Sequence, residues 1–205
     1  MRRLLICLSL SLLLSCSAAG VRKAIVQSNS GMKSDFKRLT RWSVPVAVNT
    51  AGIARADEAL QEVMKATGGA VTFERVESIP ENGIVFVEGG AMNGDGSPGC
   101  GHVSGGAPGQ VKVNFRWDDT GLLKGTYYIH LGSVRCPDAT RGHRRSAVAE
   151  HELTHALGIA SHFESFTGNE GVEADNVRAV LFNLYRNPVG ATEAELRIFD
   201  RSAGK

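Results

Sequence analysis

The sequence contains no apolar run long enough to cross a membrane as a helix. Its longest, LLICLSLSLLL at residues 4–14, has eleven residues, whereas a spanning helix needs about 20. An excess of charge of one sign is also missing, because 23 Lys and Arg stand against 21 Asp and Glu. Nothing therefore indicates a nucleic-acid partner. With 205 residues, 42% of them hydrophobic, the chain can form one well-packed domain.

The short apolar run is typical of an export signal. Residues 1–3 (MRR) supply a basic start, and the run has the length of a signal core. The junction LLSC, ending at Cys16, resembles the lipobox of bacterial lipoproteins, which implies cleavage before Cys16 and acylation of that residue. A plain secretory cleavage near Ala18 or Ala19 is the alternative. The lipobox resemblance implies a protein of the cell envelope, lipid-anchored at its periplasmic or extracellular face.

Loss of a signal over residues 1–15 would leave few cysteines and no net charge. It would reduce the 23 basic residues to 21, equal to the 21 acidic ones. It would also remove Cys7, and with Cys16 acylated only Cys100 and Cys136 would remain. An even pair in an exported protein favours a disulfide. A metal site formed by Cys100 with His102 is the alternative.

Hydrophobic periodicity divides the rest of the chain. Residues 16–40 have no clear period and predict a flexible tether, so the domain is expected at 41–205. Residues 42–50 (WSVPVAVNT) predict a strand, which Pro45 restricts to a sheet edge or to the beginning of the strand. Apolar residues at helical spacing predict a helix over 53–66, ended by the glycines at 68 and 69.

Further along, strands and helices follow in a mixed order. Strands are predicted in 70–77, 83–89, 110–117 and 126–131, and a glycine-rich surface loop is predicted in 89–109. Helices are predicted at about 144–158, 172–186 and 192–200. This order predicts a single α+β domain with a mixed sheet.

The stretch HELTHALGIASH, residues 151–162, carries the chemistry. On a helix His151 and His155 lie one turn apart on the same face, so both imidazoles can reach one ion. Glu152 is displaced by about 100° around the axis and can reach a water on that ion rather than the ion itself. This is the arrangement in which two neutral imidazoles hold Zn²⁺ and a carboxylate acts as general base.

The same stretch resembles the zinc-binding helix and turn of metzincin-type metallopeptidases, whose pattern is His-Glu-x-x-His-x-x-Gly-x-x-His or Asp. The match covers His151, Glu152, His155 and Gly158. The resemblance implies one metzincin-like domain with a twisted mixed sheet, a supporting helix and a zinc-binding active-site helix. It also implies a zinc-dependent endopeptidase that hydrolyses peptide or protein substrates with a metal-activated water and Glu152 as general base.

The chain departs from that pattern in two respects. The third ligand would fall on Ser161, and the histidine is at 162. A turn extended by one residue would bring His162 to the metal, and the alternatives are carboxylates further on: Glu173, Glu164 or Asp175. Metzincins also place a methionine in a turn beneath the metal, but all four methionines here precede the motif. Either that turn is absent, or another residue fills the space.

Two other functional classes stay open from the sequence. One is a catalytically inactive metal-binding lipoprotein, and the other is a structural surface lipoprotein whose histidines bind no metal. Tyr185 is a candidate to stabilise an oxyanion, with packing in the core as its alternative. The substrate, the membrane and the oligomeric state are not indicated by the sequence.

Overall fold

A computed structural model of the chain describes residues 17–32, 38–88, 109–112, 115–131, 147–163, 166 and 174–200. These residues form a mixed α/β fold with four α-helices, one five-stranded sheet and a short 3-10 helix. The helices are α1 (Ala18–Ser28), α2 (Ala54–Ala66), α3 (Ala147–Ala156) and α4 (Asp175–Arg186). The strands are β1 (Val46–Asn49), β2 (Phe73–Arg75), β3 (Gly83–Glu88), β4 (Gly109–Lys112) and β5 (Thr126–Leu131).

The sheet has the order β2-β1-β3-β5-β4. Strands β2, β1, β3 and β5 are parallel, and β4 runs antiparallel to β5 with Val111 opposite Ile129. The expected mixed sheet is therefore confirmed. Pro45 stands directly before the first residue of β1, which is an interior strand, so the proline marks the beginning of a strand and not a sheet edge.

Helix α2 follows β1 and contributes to the core. Its buried apolar residues recur at helical spacing, so one face packs into the core (Ala56, Ala59, Leu60 and Val63). Gly68 and Gly69 follow with positive φ, in the region that glycine adopts without steric cost. The predicted helix over 53–66 is confirmed to within one residue. It also packs against α3, the helix that carries the histidine motif.

The expected flexible tether over 16–40 is wrong for residues 17–32 and 38–40. Val21 and Ile25 of α1 are buried in the core, and α1 packs against α4. Leu39 and Thr40 are fully buried as well. So short a helix is stabilised mainly by tertiary packing of one face. The local sequence does not show those contacts, which is why this segment was not predicted to be helical. The folded domain thus includes residues well before position 41.

The predicted helix over 192–200 is also wrong. Only a single 3-10 turn, Glu193–Glu195, forms there, closed by a capping box between Thr192 and Glu195. Beyond it the chain is irregular, since Asn187 accepts the N–H of Arg197 and Asn183 accepts the N–H of Phe199. These buried asparagines, one in α4 and one at its C-terminal end, supply the hydrogen bonds that a helix would otherwise have made.

No helix within the described ranges is long and apolar enough to span a bilayer.

Candidate metal centre

Helix α3 places the motif between the sheet and α2. It packs against β4, β5 and α2, and the residues from Ala147 to Thr154 are all buried. Gly158 ends the helix with φ +112, and a Cβ atom there would lie 2.9 Å from the carbonyl oxygen of Thr40. A glycine is thus required both by the left-handed backbone and by the close approach of a neighbouring segment.

Side chains from three separate segments satisfy the carbonyl groups at the end of α3. The indole N–H of Trp42 donates to Ala156, the hydroxyl of Tyr185 donates to Leu157, and the amide of Asn29 donates to Gly158, at 2.8, 2.9 and 2.9 Å. The last carbonyls of a helix have no partners within the helix, so a buried end needs such donors. Tyr185 is therefore a packing and capping residue, and its burial raises the pKa of its hydroxyl well above the usual value.

The end of α1 holds the turn that leads from His155 to His162. Ser30 donates its backbone N–H to Gly158, and Ala160 donates its own to Ser28, at 3.1 and 2.7 Å. Asn29 pairs with Ile159 in an antiparallel bridge. Its side chain also donates to the carbonyl of Thr40 at 2.7 Å and accepts the Thr40 N–H at 2.8 Å. The one-residue extension of the turn is thus fixed by hydrogen bonds to a neighbouring segment.

Three histidines converge at this end of α3. The Nε2 atoms of His151 and His162 are 3.1 Å apart, and that of His155 lies 3.2 Å from each of them. Tetrahedral zinc held by imidazoles at about 2.0–2.1 Å needs ligand nitrogens about 3.3 Å apart. The three side chains could therefore hold one metal ion. His151 is buried, His155 is half-buried and His162 is exposed, so the group opens to solvent on the His162 side.

His155 is held in the form that binds a metal. Its Nδ1–H donates to the carbonyl of Ile159 at 2.6 Å, which leaves the Nε2 lone pair directed at the other two histidines. Burial above all, with a smaller effect of His162, lowers the pKa of His155 to about 4, while the bond to Ile159 opposes this. The imidazole is thus neutral at neutral pH, as ligation requires.

Phe166 forms an apolar wall against the histidines. Its ring centroid lies 4.4 Å from that of His151, 5.1 Å from that of His155 and 5.3 Å from that of His162. The side chain is fully buried, and the backbone N–H of Phe166 donates to the carbonyl of Phe163. One phenylalanine therefore restricts the rotamers of all three imidazoles and keeps water from that side of the site.

The remaining candidates from the sequence are placed as follows. Glu152 follows His151 on α3 and is 9% exposed, so its side chain is largely shielded from bulk solvent. Asp175 begins α4 with its side chain 75% exposed and pairs with Arg178, and it does not belong to the histidine group. The Ser161 hydroxyl is buried without a hydrogen-bond partner among the described residues. Outside the described residues lie Cys16, Cys100, Cys136, Glu164 and Glu173.

Two residues that position the group were not found from the sequence. Asn29 lies in the segment expected to be a tether, and no local pattern connects it with a turn about 130 residues later. Phe166 follows the motif closely, and an aromatic residue just past a histidine cluster is the only signal for it. No protein-family model and no curated protein matches the chain, so the metzincin resemblance rests on the motif and stays a prediction.

Proposed function

We propose that the protein is a zinc-dependent endopeptidase with His151, His155 and His162 as metal ligands and Glu152 as the general base. The observation that carries the proposal is the triangle of three Nε2 atoms 3.1–3.2 Å apart, built on a helix that also carries a carboxylate. Three imidazoles on one ion, with a further position open to solvent, are the ligand set of a catalytic zinc site and not of a closed structural one.

Zinc is the metal that this donor set favours. All three donors are imidazole nitrogens, which suit zinc, copper, iron and nickel, whereas Mg²⁺ and Ca²⁺ prefer oxygen ligands. The nearly equal separations suit a tetrahedral ion, the geometry that zinc adopts in most sites. When bound, zinc supplies a Lewis acid that polarises a carbonyl group and lowers the pKa of a water molecule.

The chain's own residues supply the proton chemistry and the shape. Glu152, one residue after His151 on the same helix, would accept a proton from the attacking water and deliver it to the leaving amine. Phe166 and the buried face of α3 restrict water on the inner side of the site. This raises the strength of electrostatic interactions there, because the local dielectric constant is low.

The sheet offers an edge on which an extended substrate can bind. Among the described strands, β4 is at one edge of the sheet, and it packs against α3. We propose that a peptide pairs with the outer side of β4 through backbone hydrogen bonds, the mode in which affinity comes from the main chain and selectivity from a few pockets. An extended peptide along β4 would pass beside the helix that carries the histidines and Glu152.

The test is hydrolysis of a mixed-sequence peptide library by the zinc-loaded protein and by Glu152→Gln. Because the amide cannot take up a proton, we expect zinc content to stay unchanged and hydrolysis to fall by roughly 10²–10⁴-fold. Glu58→Gln, an exposed position on α2, is the matched control and should keep full activity. Full activity in Glu152→Gln would remove that residue from the mechanism. Zinc binding without hydrolysis in any form would instead favour the inactive metal-binding lipoprotein.

The cellular location forms part of the same proposal. The basic start, the eleven-residue apolar run and Cys16 support export and lipid anchoring at the surface of a membrane. Mass spectrometry of the protein isolated from membranes tests this, since acylation adds the mass of the acyl groups to a chain that begins at Cys16. A mature chain that begins near Ala18 or Ala19 without lipid would show plain secretion instead.

A further inference from the structure

One rigid element joins the proposed lipid attachment position to the metal centre. Cys16 directly precedes Ser17, whose side-chain oxygen accepts the N–H of Gly20 and caps the first turn of α1. At the other end of the same helix, the carbonyl of Ser28 accepts the N–H of Ala160, in the turn between His155 and His162. The described structure thus begins one residue after the attachment position, and α1 leads straight to the site.

This connection sets how far the site can lie from the membrane. A helix of 11 residues is about 16 Å long at 1.5 Å per residue. The histidine turn therefore lies on the order of 20 Å from the attachment point, whatever the tilt of α1. A disordered tether over residues 16–40 would instead reach up to about 80 Å at 3.3 Å per residue. Because α1 is folded, the histidine turn cannot move that far from the attachment point.

The outer side of α1 forms an apolar groove with the chain after α4. We call this the anchor face, and its apolar residues are Ala18, Ala19, Val26 and Ile198. The opposite side of α1 is buried in the core. The guanidinium of Arg22 fixes the two walls together, because it donates to the carbonyls of Glu193 and Leu196 at 2.6 Å each.

Charge on this side of the molecule is of mixed sign. The charged residues that line the groove are Arg22, Lys23 and Glu193, an excess of one positive charge. A patch of mixed sign gains little from an anionic membrane, so electrostatic attraction would not bring the isolated domain to a bilayer. Contact with lipid would depend on the covalent anchor beside the groove.

We propose that the anchor face lies against the lipid bilayer and that the enzyme therefore cleaves peptide segments close to the membrane surface. This deepens the proposed function and rests on its lipid anchor. A bilayer is the occupant because Cys16, the proposed acylation position, lies two residues before Ala18 at the start of this groove, so that its acyl chains would enter the lipid there. Substrates would be the membrane-proximal parts of other proteins, within on the order of 20 Å of the lipid.

The first experiment locates the face. A fluorescent amino acid is incorporated at position 27 on the outer side of α1, or at position 61 on α2 as a control, since both are exposed glutamines on helices. The full acylated protein is reconstituted in phosphatidylcholine vesicles that contain lipids with a nitroxide in the headgroup. We expect several-fold stronger quenching at 27 than at 61. Equal quenching, stronger quenching at 61, or a mature chain without acyl groups would each overturn the proposal.

The second experiment measures reach. Two vesicle-anchored peptides carry the same library-selected cleavage sequence, one a few residues from the lipid and one beyond about 20 prolines, which form a spacer of ~60 Å. A second protein variant carries a flexible Gly/Ser insert directly after Cys16. The insert begins with Ser and is as long as residues 16–40, so it supplies the long tether that the native protein lacks. We expect the native protein to cleave the proximal peptide at least about tenfold faster than the distal one, and the variant to lose this preference.

The two experiments separate this inference from the proposed function. Equal cleavage of both peptides by the native protein would overturn the membrane-proximal preference while leaving the peptidase intact. If no form cleaves either peptide, or the free peptide in solution, the endopeptidase assignment fails and the membrane-proximal substrate class fails with it. The quenching comparison then still decides whether the anchor face meets the bilayer.

Discussion

The side-chain amide of Asn29 donates to the carbonyl oxygen of Gly158 at 2.9 Å, and so ties the end of α1 to the turn after the histidine helix. The same amide donates to the carbonyl of Thr40. Its oxygen accepts the Thr40 N–H. One buried side chain thus joins its own segment to two others, 11 and 129 residues away, and the turn that it holds carries His162 to the other two histidines.

Asn29→Ala should weaken zinc binding, beyond the effect of a comparable loss of folding stability elsewhere in the protein. Removing the amide leaves buried carbonyl and N–H groups unpaired, at a cost of about 1–3 kcal/mol for each such group. Because the turn loses its support, zinc affinity should fall by about 10–100-fold, as is usual when an outer-shell partner is lost. Zinc titration of the metal-free protein, at a temperature where the variant is folded, measures the effect.

Asn183→Ala is the matched control for that substitution. Asn183 is buried to a similar degree and also bridges backbone groups, donating to Ala179 and accepting the N–H of Phe199. Its loss should lower the free energy of unfolding by a comparable amount and leave zinc affinity unchanged. Equal zinc affinities for the two variants would show that Asn29 stabilises the fold without positioning His162.

Phe166→Leu should disturb the metal site while keeping the core apolar. A substitution of this kind costs about 1 kcal/mol when the neighbours repack. The loss of ring contacts with three imidazoles should change the visible absorption of the cobalt-substituted protein and lower metal affinity. Phe86→Leu, a substitution of an equally buried ring on β3, should lower stability and leave the cobalt spectrum unaltered. Identical spectra for both variants and the parent would contradict the positioning role.

The turn around Asp118 should make the fold sensitive to acid. Its carboxylate accepts hydrogen bonds from Thr120 and Leu122 and pairs with Lys124. The hydroxyl of Thr120 contributes most, and the pKa of Asp118 lies well below its ordinary value of 3.8. A carboxyl group with a lowered pKa in the folded state contributes stability above its unfolded pKa and loses that contribution as the pH falls below it.

Asp118→Asn should therefore lower stability at pH 7 and reduce the loss of stability between pH 4 and pH 2. Urea unfolding at a series of pH values measures both effects. Asp119→Asn, an exposed carboxylate one residue further on, serves as the control and should match the parent. Indistinguishable pH profiles for the two variants would rule out this role for Asp118.

The sequence was informative where chemistry depends on local spacing. The four-residue interval between His151 and His155 follows from the helix period, and a strand lies in each segment with β-type periodicity. The strand predicted over 110–117 is observed as Gly109–Lys112, and residues 115–116 are irregular. His162 was one of several candidates from the sequence, because nothing in the sequence fixes the path of the turn after Gly158. The structure brings it within 3.1 Å of His151.

The sequence was least informative where distant segments determine the structure. Helix α1 has only 11 residues, and its stability comes from burying Val21 and Ile25 against the rest of the fold. The extended end of the chain depends on the side chains of Asn183 and Asn187 accepting its N–H groups. Neither effect leaves a strong local signal, because the partners are supplied by tertiary contacts.

The central claim is that three histidines form one metal site. The most direct test strips the protein of metal, dialyses it against zinc, and measures the zinc bound per chain and the affinity. We expect about one zinc per chain in the parent and in His130→Ala, which changes a histidine of β5 outside the group. For His162→Ala we expect affinity to fall by more than the roughly 100-fold that outer-shell changes cost. Full zinc binding by His162→Ala, or no zinc in the parent, would contradict the three-histidine site.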